Sequence, residues 1–183
     1  MTWRSLRQAP ADAPAKLFWL AHGSRHGLRV PPTVWAPADA APFGAPPPEI
    51  GSGPWIVRSA AIDEDTHEGT AAGRYESVAV ERAADLPAAI DTVRRSFQGR
   101  GAVLLQPLLA PERGGVAFTD GFHFERTEAA GGNRSLTAGT ERGDLVRGHL
   151  VRGEAWSAFV ERLARVYAPN FGDAGIDVEY AVV

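Results

Sequence analysis

"GPWIVRSAAIDED", residues Gly53 to Asp65, sets an apolar run, Trp55-Ile56-Val57, directly before one arginine, Arg58. Two small residues follow, Ser59 and Ala60, and then three acids, Asp63, Glu64 and Asp65. The apolar run reads as a buried strand that ends on Arg58. A cation at a strand end beside a loop suits phosphate, because a guanidinium offers parallel N–H donors to two oxygens. The residues alone favour the other reading, with Arg58 a surface ion-pair partner of Asp63 or Asp65.

Downstream, Thr66 to Ser77 reads as a small-residue loop with Gly69 and Gly73, and "SVAVE" as a short strand. Residues 85–98 are expected to be a helix. Asp85 is its cap, and Leu86, Ile90, Val93 and Phe97 recur at helical spacing. "AVLLQPLL" (102–109) is almost continuously apolar, so it should be a strand buried on both faces. Residues 114–119, 123–129, 134–140 and 144–151 read as further strands with Gly-rich turns between them. A helix over 154–168 follows, with Trp156, Phe159, Val160, Leu163 and Tyr167 on one face, and "GIDVEYAVV" closes as a strand. Upstream, 12–27 reads as a helix with Asp12 as N-cap, Pro14 in its first turn and Gly27 as its stop. Residues 28–37 read as extended, and 37–54, rich in Pro, Ala and Gly, as a linker.

Composition narrows the class. The 183 residues are 44% hydrophobic and 22% charged, as in a globular protein with one sizeable core or two small lobes. A net charge of -3 and a pI near 6.0 give no footprint for nucleic acid or an anionic membrane. No apolar run is long enough to span a bilayer. Cysteine is absent, which excludes disulfides and thiolate metal sites and makes a cytoplasmic location the default. The five histidines show no ligand spacing, which argues against a histidine metal site. Lys and Arg total 19, of which Lys16 is the single lysine. It is either a chance survivor or a position where a compact ammonium is wanted rather than a planar fork.

In order, "IVRSAAIDED", "THEGTAAGRYESVAV", "AVLLQPLL", "GGVAFT" and "IDVEYAVV" resemble the N-terminal ATP-grasp domain of phosphoenolpyruvate-utilising enzymes. That family includes phosphoenolpyruvate synthase, pyruvate phosphate dikinase and rifampicin phosphotransferase. "AKLFWLAHGSRHGLRVPPTVW" is similar to the family's opening helix, and the likeness covers most of residues 14–183. It implies an α+β, two-lobed ATP-grasp-like fold with mixed or antiparallel sheets and flanking helices. One lobe would span 1–98 and the other 99–183, with nucleotide between them.

The resemblance also implies roles. Lys16, in a helical first turn, and Arg58 would hold phosphate, where the helix N-terminus already favours anions. Backbone N–H groups of the loop, at Thr70 and Gly73, would close over the polyphosphate. Gln106 lies where the family's adenine pocket begins. Asp177 and Glu179, two apart on a strand, would hold Mg²⁺, although they equally suit a solvated strand face. Glu125 and Glu128 share that ambiguity.

The sequence departs from the family pattern. Pro14-Ala15 replaces the Gly-Gly before the lysine, Arg74 replaces a loop glutamine, and the segment between the opening helix and Trp55 is short. The family's following Q-x-R-P strand and its phosphohistidine domain do not occur within residues 1–183. The expectation is therefore an ATP- and Mg²⁺-binding module of a phosphotransferase. It would pass a phosphoryl group to a histidine phosphocarrier domain carried elsewhere. The alternative is a non-catalytic nucleotide-binding relic of that domain.

Overall fold

The computed structural model describes residues 3–40, 44–63, 65–66, 69–70, 75–119, 123–130, 143–149, 155–171 and 176–183. The chain divides into two compact units, Met1–Leu108 and Leu109–Val183.

The first unit is built on a five-stranded sheet in the order β1-β2-β7-β3-β6, with every neighbouring pair antiparallel. Its strands are β1 (Arg4–Ser5), β2 (Val34–Pro37), β3 (Trp55–Ala61), β6 (Ser77–Val80) and β7 (Gly101–Pro107). Between β3 and β6 lies a two-stranded ribbon, β4 (Asp65–Thr66) with β5 (Gly69–Thr70). The expected loop from Thr66 thus opens as a β-ribbon, while Gly73 lies outside the described residues.

The period of two along each strand sorts side chains to two faces. Val57, Val103 and Leu105 pack with Leu86, Ile90 and Val93 of helix α2 (Leu86–Ser96) and with Phe97, which caps its C-terminal end. On the opposite face, Ala60, Ala102 and Leu104 pack with Leu17 and Ala21 of helix α1 (Ala15–Arg25). Small side chains at Ala60, Ala102 and Ala21 let that helix sit close to the sheet. Gly101 shows how tight the neighbouring ladder is. Its φ is +140°, and a Cβ there would stand 2.2 Å from the Ala60 carbonyl oxygen.

Several local expectations shift. α1 starts at Ala15 with Pro14 in the cap position, so Asp12 is not the N-cap. Its end is capped at His26, and Gly27 follows with φ +73°. Asp85 does precede α2 but makes no capping bond, because its carboxylate takes both arms of Arg82 at 2.9 and 3.0 Å. Part of the expected linker is built into the core. Ala38, Ala40 and Ile50 are buried, and Pro48–Ile50 forms a 3-10 turn. Apolar residues spaced through a Pro-rich stretch anchor it without a regular period.

The second unit holds a four-stranded antiparallel sheet, β10-β9-β8-β11. Its strands are β8 (Arg113–Thr119), β9 (His123–Ala130), β10 (Asp144–His149) and β11 (Ile176–Val182). Helix α3 (Ala155–Phe171) places Trp156 against Phe124 and Tyr180, and buries Val160 and Leu163. The strand expected over 134–140 lies outside the described residues. β7, expected in the second lobe, pairs with β2 and β3 and so belongs to the first unit.

Candidate functional site

In the first unit two of the expected nucleotide-side residues, Arg58 and Gln106, share one sheet face. Lys16 is the second residue of α1, in its first turn, beside the buried Leu17. Arg58 is not at a strand end. It is the fourth of seven residues in β3, which continues through Ser59, Ala60 and Ala61 because these small residues pair with Val103, Ala102 and Gly101 of β7. By strand alternation Arg58 stands on the α1 face with Ala60, half-buried, its Nε closed off from solvent. Gln106 takes the same face, diagonal to Arg58, since Ile56 pairs with Gln106 and Arg58 with Leu104. The structure therefore brings Arg58 and Gln106 to the face that α1 covers, with Lys16 in the first turn of that helix.

Gln106 is 4% exposed, and its Nε2 donates to Thr33 Oγ1 at 2.8 Å. Thr33 Oγ1 in turn donates to the Pro31 carbonyl at 2.8 Å. This chain fixes the amide rotamer and commits one of its two N–H donors. A base edge would have the second N–H and the carbonyl oxygen to pair with. Nothing local in the sequence marks Thr33 as the partner, which lies 73 positions away. Thr70 sits in β5, opposite Asp65.

In the second unit the register puts Glu179 on the sheet face opposite α3. Asp177 is opposite Phe118, Phe118 opposite Glu125, and Glu125 opposite Arg147. The adjacent row runs Glu179, Val116, Thr127, Leu145. This face is exposed: Phe118 is 43% and Leu145 51% accessible, and Glu179 is exposed. Glu125, in the same row as Asp177, accepts from Arg147 Nε at 2.6 Å. That bond, with the attraction of the carboxylate, holds the Arg147 guanidinium protonated above its ordinary value. Phe118, Leu145 and Arg147 escaped the sequence reading, although period-two alternation along their strands carries the signal.

The α3 face works differently. Gly115 on β8 stands opposite both Tyr180 and Glu128. A Cβ at Gly115 would meet the Thr127 carbonyl oxygen at 2.1 Å, so the position needs glycine. Across the bare backbone the Tyr180 hydroxyl donates to Glu128 Oε2 at 2.7 Å. Arg113 and Arg126 reach the same carboxylate at 3.3 and 3.4 Å, and Arg126 also lies 4.5 Å over the Trp156 ring. Burial, then the Glu128 carboxylate, push the Tyr180 phenol up to about 12. Glu128 is thus engaged in packing on this face, on the side of the sheet away from Glu179.

Among the described residues, no three His, Cys, Asp or Glu side chains gather as a metal cluster, and no helix is long and apolar enough to cross a membrane. No protein-family model and no curated protein matches the chain. Solved structures do. D-alanine-D-alanine ligase from Helicobacter pylori aligns with a TM-score of 0.53 at 15% identity, over 94% of this chain and 47% of that one. The ATP-grasp ligase PsnB, complexed with minimal precursor, Mg and ADP, aligns at 17% identity and a TM-score of 0.46, over 92% and 46%. D-cycloserine synthetase DcsG aligns at 14% and 0.48, over 90% and 59%. The chain spans about half the length of the first two. The likeness is one of fold, and the fold is the α+β, antiparallel-sheet, two-unit ATP-grasp type expected above.

Proposed function

We propose that this chain is an ATP-binding module of a phosphoryl-transferring enzyme of the phosphoenolpyruvate synthase and pyruvate phosphate dikinase type. The observation that carries the reading is the shared sheet face of Arg58 and Gln106 under α1, the helix whose first turn holds Lys16, in a chain with an ATP-grasp fold. Lys16 supplies a point charge at the N-terminal end of α1, where the macrodipole adds to it. Arg58 supplies a fork held by β3, and its partly buried stem costs little further ordering on binding. Backbone N–H groups near Thr70 and Gly73 close on the phosphates in this reading, and Gln106 reads the base edge.

Glu179 is an exposed oxygen donor with Asp177 two positions away on the same strand, which fits Mg²⁺ held by one or two carboxylates plus phosphate oxygens and waters. The metal, when bound, neutralises phosphate charge. The residues bind and orient the polyphosphate, which is most of what phosphoryl transfer asks of a protein. The acceptor is a histidine phosphocarrier domain in cis or in trans. The second reading is a nucleotide-binding relic without turnover. Burial of Gln106 and its commitment to Thr33 favour it.

Calorimetry with ATP and a non-hydrolysable analogue, with and without Mg²⁺, tests the binding common to both readings. A Kd on the order of tens of micromolar or weaker is expected. Absence of heat and of any thermal shift at millimolar ATP overturns both. Adding a histidine phosphocarrier domain with labelled ATP separates them, since only the phosphotransferase reading predicts labelled histidine.

A further inference from the structure

We propose that His22 and His26 on α1 form a bidentate site for a borderline divalent transition-metal ion, independent of the nucleotide reading. Such a site departs from the sequence expectation that the histidines lack ligand spacing. Positions four apart lie one above the other on one face, and the rings stand 4.2 Å apart between centroids, tilted 32° from parallel. Metal–imidazole bonds of about 2.0–2.1 Å need two nitrogens within roughly 3 Å of each other. With the His26 ring kept on its backbone carbonyl, rotation of the neighbouring His22 ring about χ2 is the movement that brings both onto one ion.

The His26 Nδ1 lies 2.9 Å from the His22 carbonyl oxygen. A carbonyl only accepts, so that nitrogen carries the proton and Nε2 of the neutral ring bears the lone pair. This arrangement, an imidazole oriented by a backbone carbonyl at its other nitrogen, is the usual support of a metal-ligating histidine.

Two further observations favour a cation here. His26 is the C-terminal cap residue of α1, where the helix dipole is negative. The neighbouring cation, Arg25, is turned away, its Nη2 donating to the Arg7 and Ala9 carbonyls at 3.3 and 2.9 Å. His26 is exposed, so an ion can reach it while water completes the coordination. Imidazole pairs select Cu²⁺, Ni²⁺ or Zn²⁺ over Mg²⁺ or Ca²⁺, which prefer oxygen.

The test titrates the full chain with Cu²⁺ and with Ni²⁺ at pH 7.5 by calorimetry, beside His26→Ala, His22→Asn and, as a control on the second unit, His123→Ala. One site is expected per chain. It should weaken at least tenfold in His26→Ala and in His22→Asn, stay unchanged in His123→Ala, and weaken when the pH is lowered to 5.5, because protons compete for the lone pairs. A metal-induced rise in melting temperature should vanish in His26→Ala, whose side chain is exposed and outside the core. Wild-type binding no tighter than that of His26→Ala, or a site lost in His123→Ala instead, overturns the proposal. ATP affinity is left untouched by His26→Ala, so failure here is distinct from failure of the nucleotide reading.

Discussion

Arg58 shows how one residue's setting decides between charge and packing. Inside β3, with its Nε closed off from solvent, the guanidinium is held by the strand rather than by a flexible loop. Arg58→Lys keeps the charge but loses the fork, and is expected to weaken ATP binding by about 1–3 kcal/mol with little change in melting temperature. A variant that melts much earlier yet binds ATP as before would make Arg58 a packing residue. Glu179 offers a cleaner separation because it is exposed. Glu179→Gln should reduce nucleotide affinity in Mg²⁺ more than in its absence, since a hard anionic oxygen is replaced by a neutral amide. Equal losses in the two titrations would remove Glu179 from the metal's ligands.

At the scale of elements, β8 is organised by Gly115. The missing side chain lets β11 and β9 communicate through the Tyr180–Glu128 hydrogen bond, and Trp156 of α3 closes over both Tyr180 and Arg126. Tyr180→Phe removes a donor to a carboxylate and should cost about 1.5–3 kcal/mol in urea unfolding. The linkage has a definite sign. The phenol titrates near 12 when folded against 10.0 as its ordinary value, so its contribution is complete below pH 10. It is lost as pH rises from 10 toward 12, because the unfolded phenol ionises first. Stability of Tyr180→Phe should lack that alkaline slope. α1 and α2 divide their work more simply: each covers one face of the first sheet, and the small residues under α1 bring its first turn, with Lys16, close to β3.

For the whole molecule, the distribution of the core is uneven. Among the described residues, the buried hydrophobics of the second unit are Ala117, Val160 and Leu163, while in the first unit residues 102–106 of β7 and 59–61 of β3 are buried on both faces. β7 is hydrogen-bonded on both edges, to β2 and to β3. Local opening costs most where backbone bonds are doubly flanked and dry. Native-state hydrogen exchange should therefore find the slowest amides in Val103–Leu105 and Val57–Ser59, with the β10 amides exchanging much faster. Equal protection in β10 and β7 would contradict this picture of where stability resides.

The sequence by itself determined what depends on near neighbours along the chain. The continuous apolar run of β7, the helical face of Leu86, Ile90, Val93 and Phe97, and the placing of Lys16 in a first turn were all legible, because burial leaves a period of two or 3.6. The ordered motifs pointed to the α+β ATP-grasp fold. What pairs with what was decided by tertiary structure. β3 runs past Arg58 because Gly101 and Ala102 lie alongside its small residues. Gln106 is committed to Thr33, and Asp85 turns to Arg82 instead of capping α2. β7 joined the first unit through ladders to strands 40 and more residues upstream, which no window of hydropathy spans. Hydrogen-bond partners are chosen by proximity in space, and side-chain polarity states only that a partner is needed.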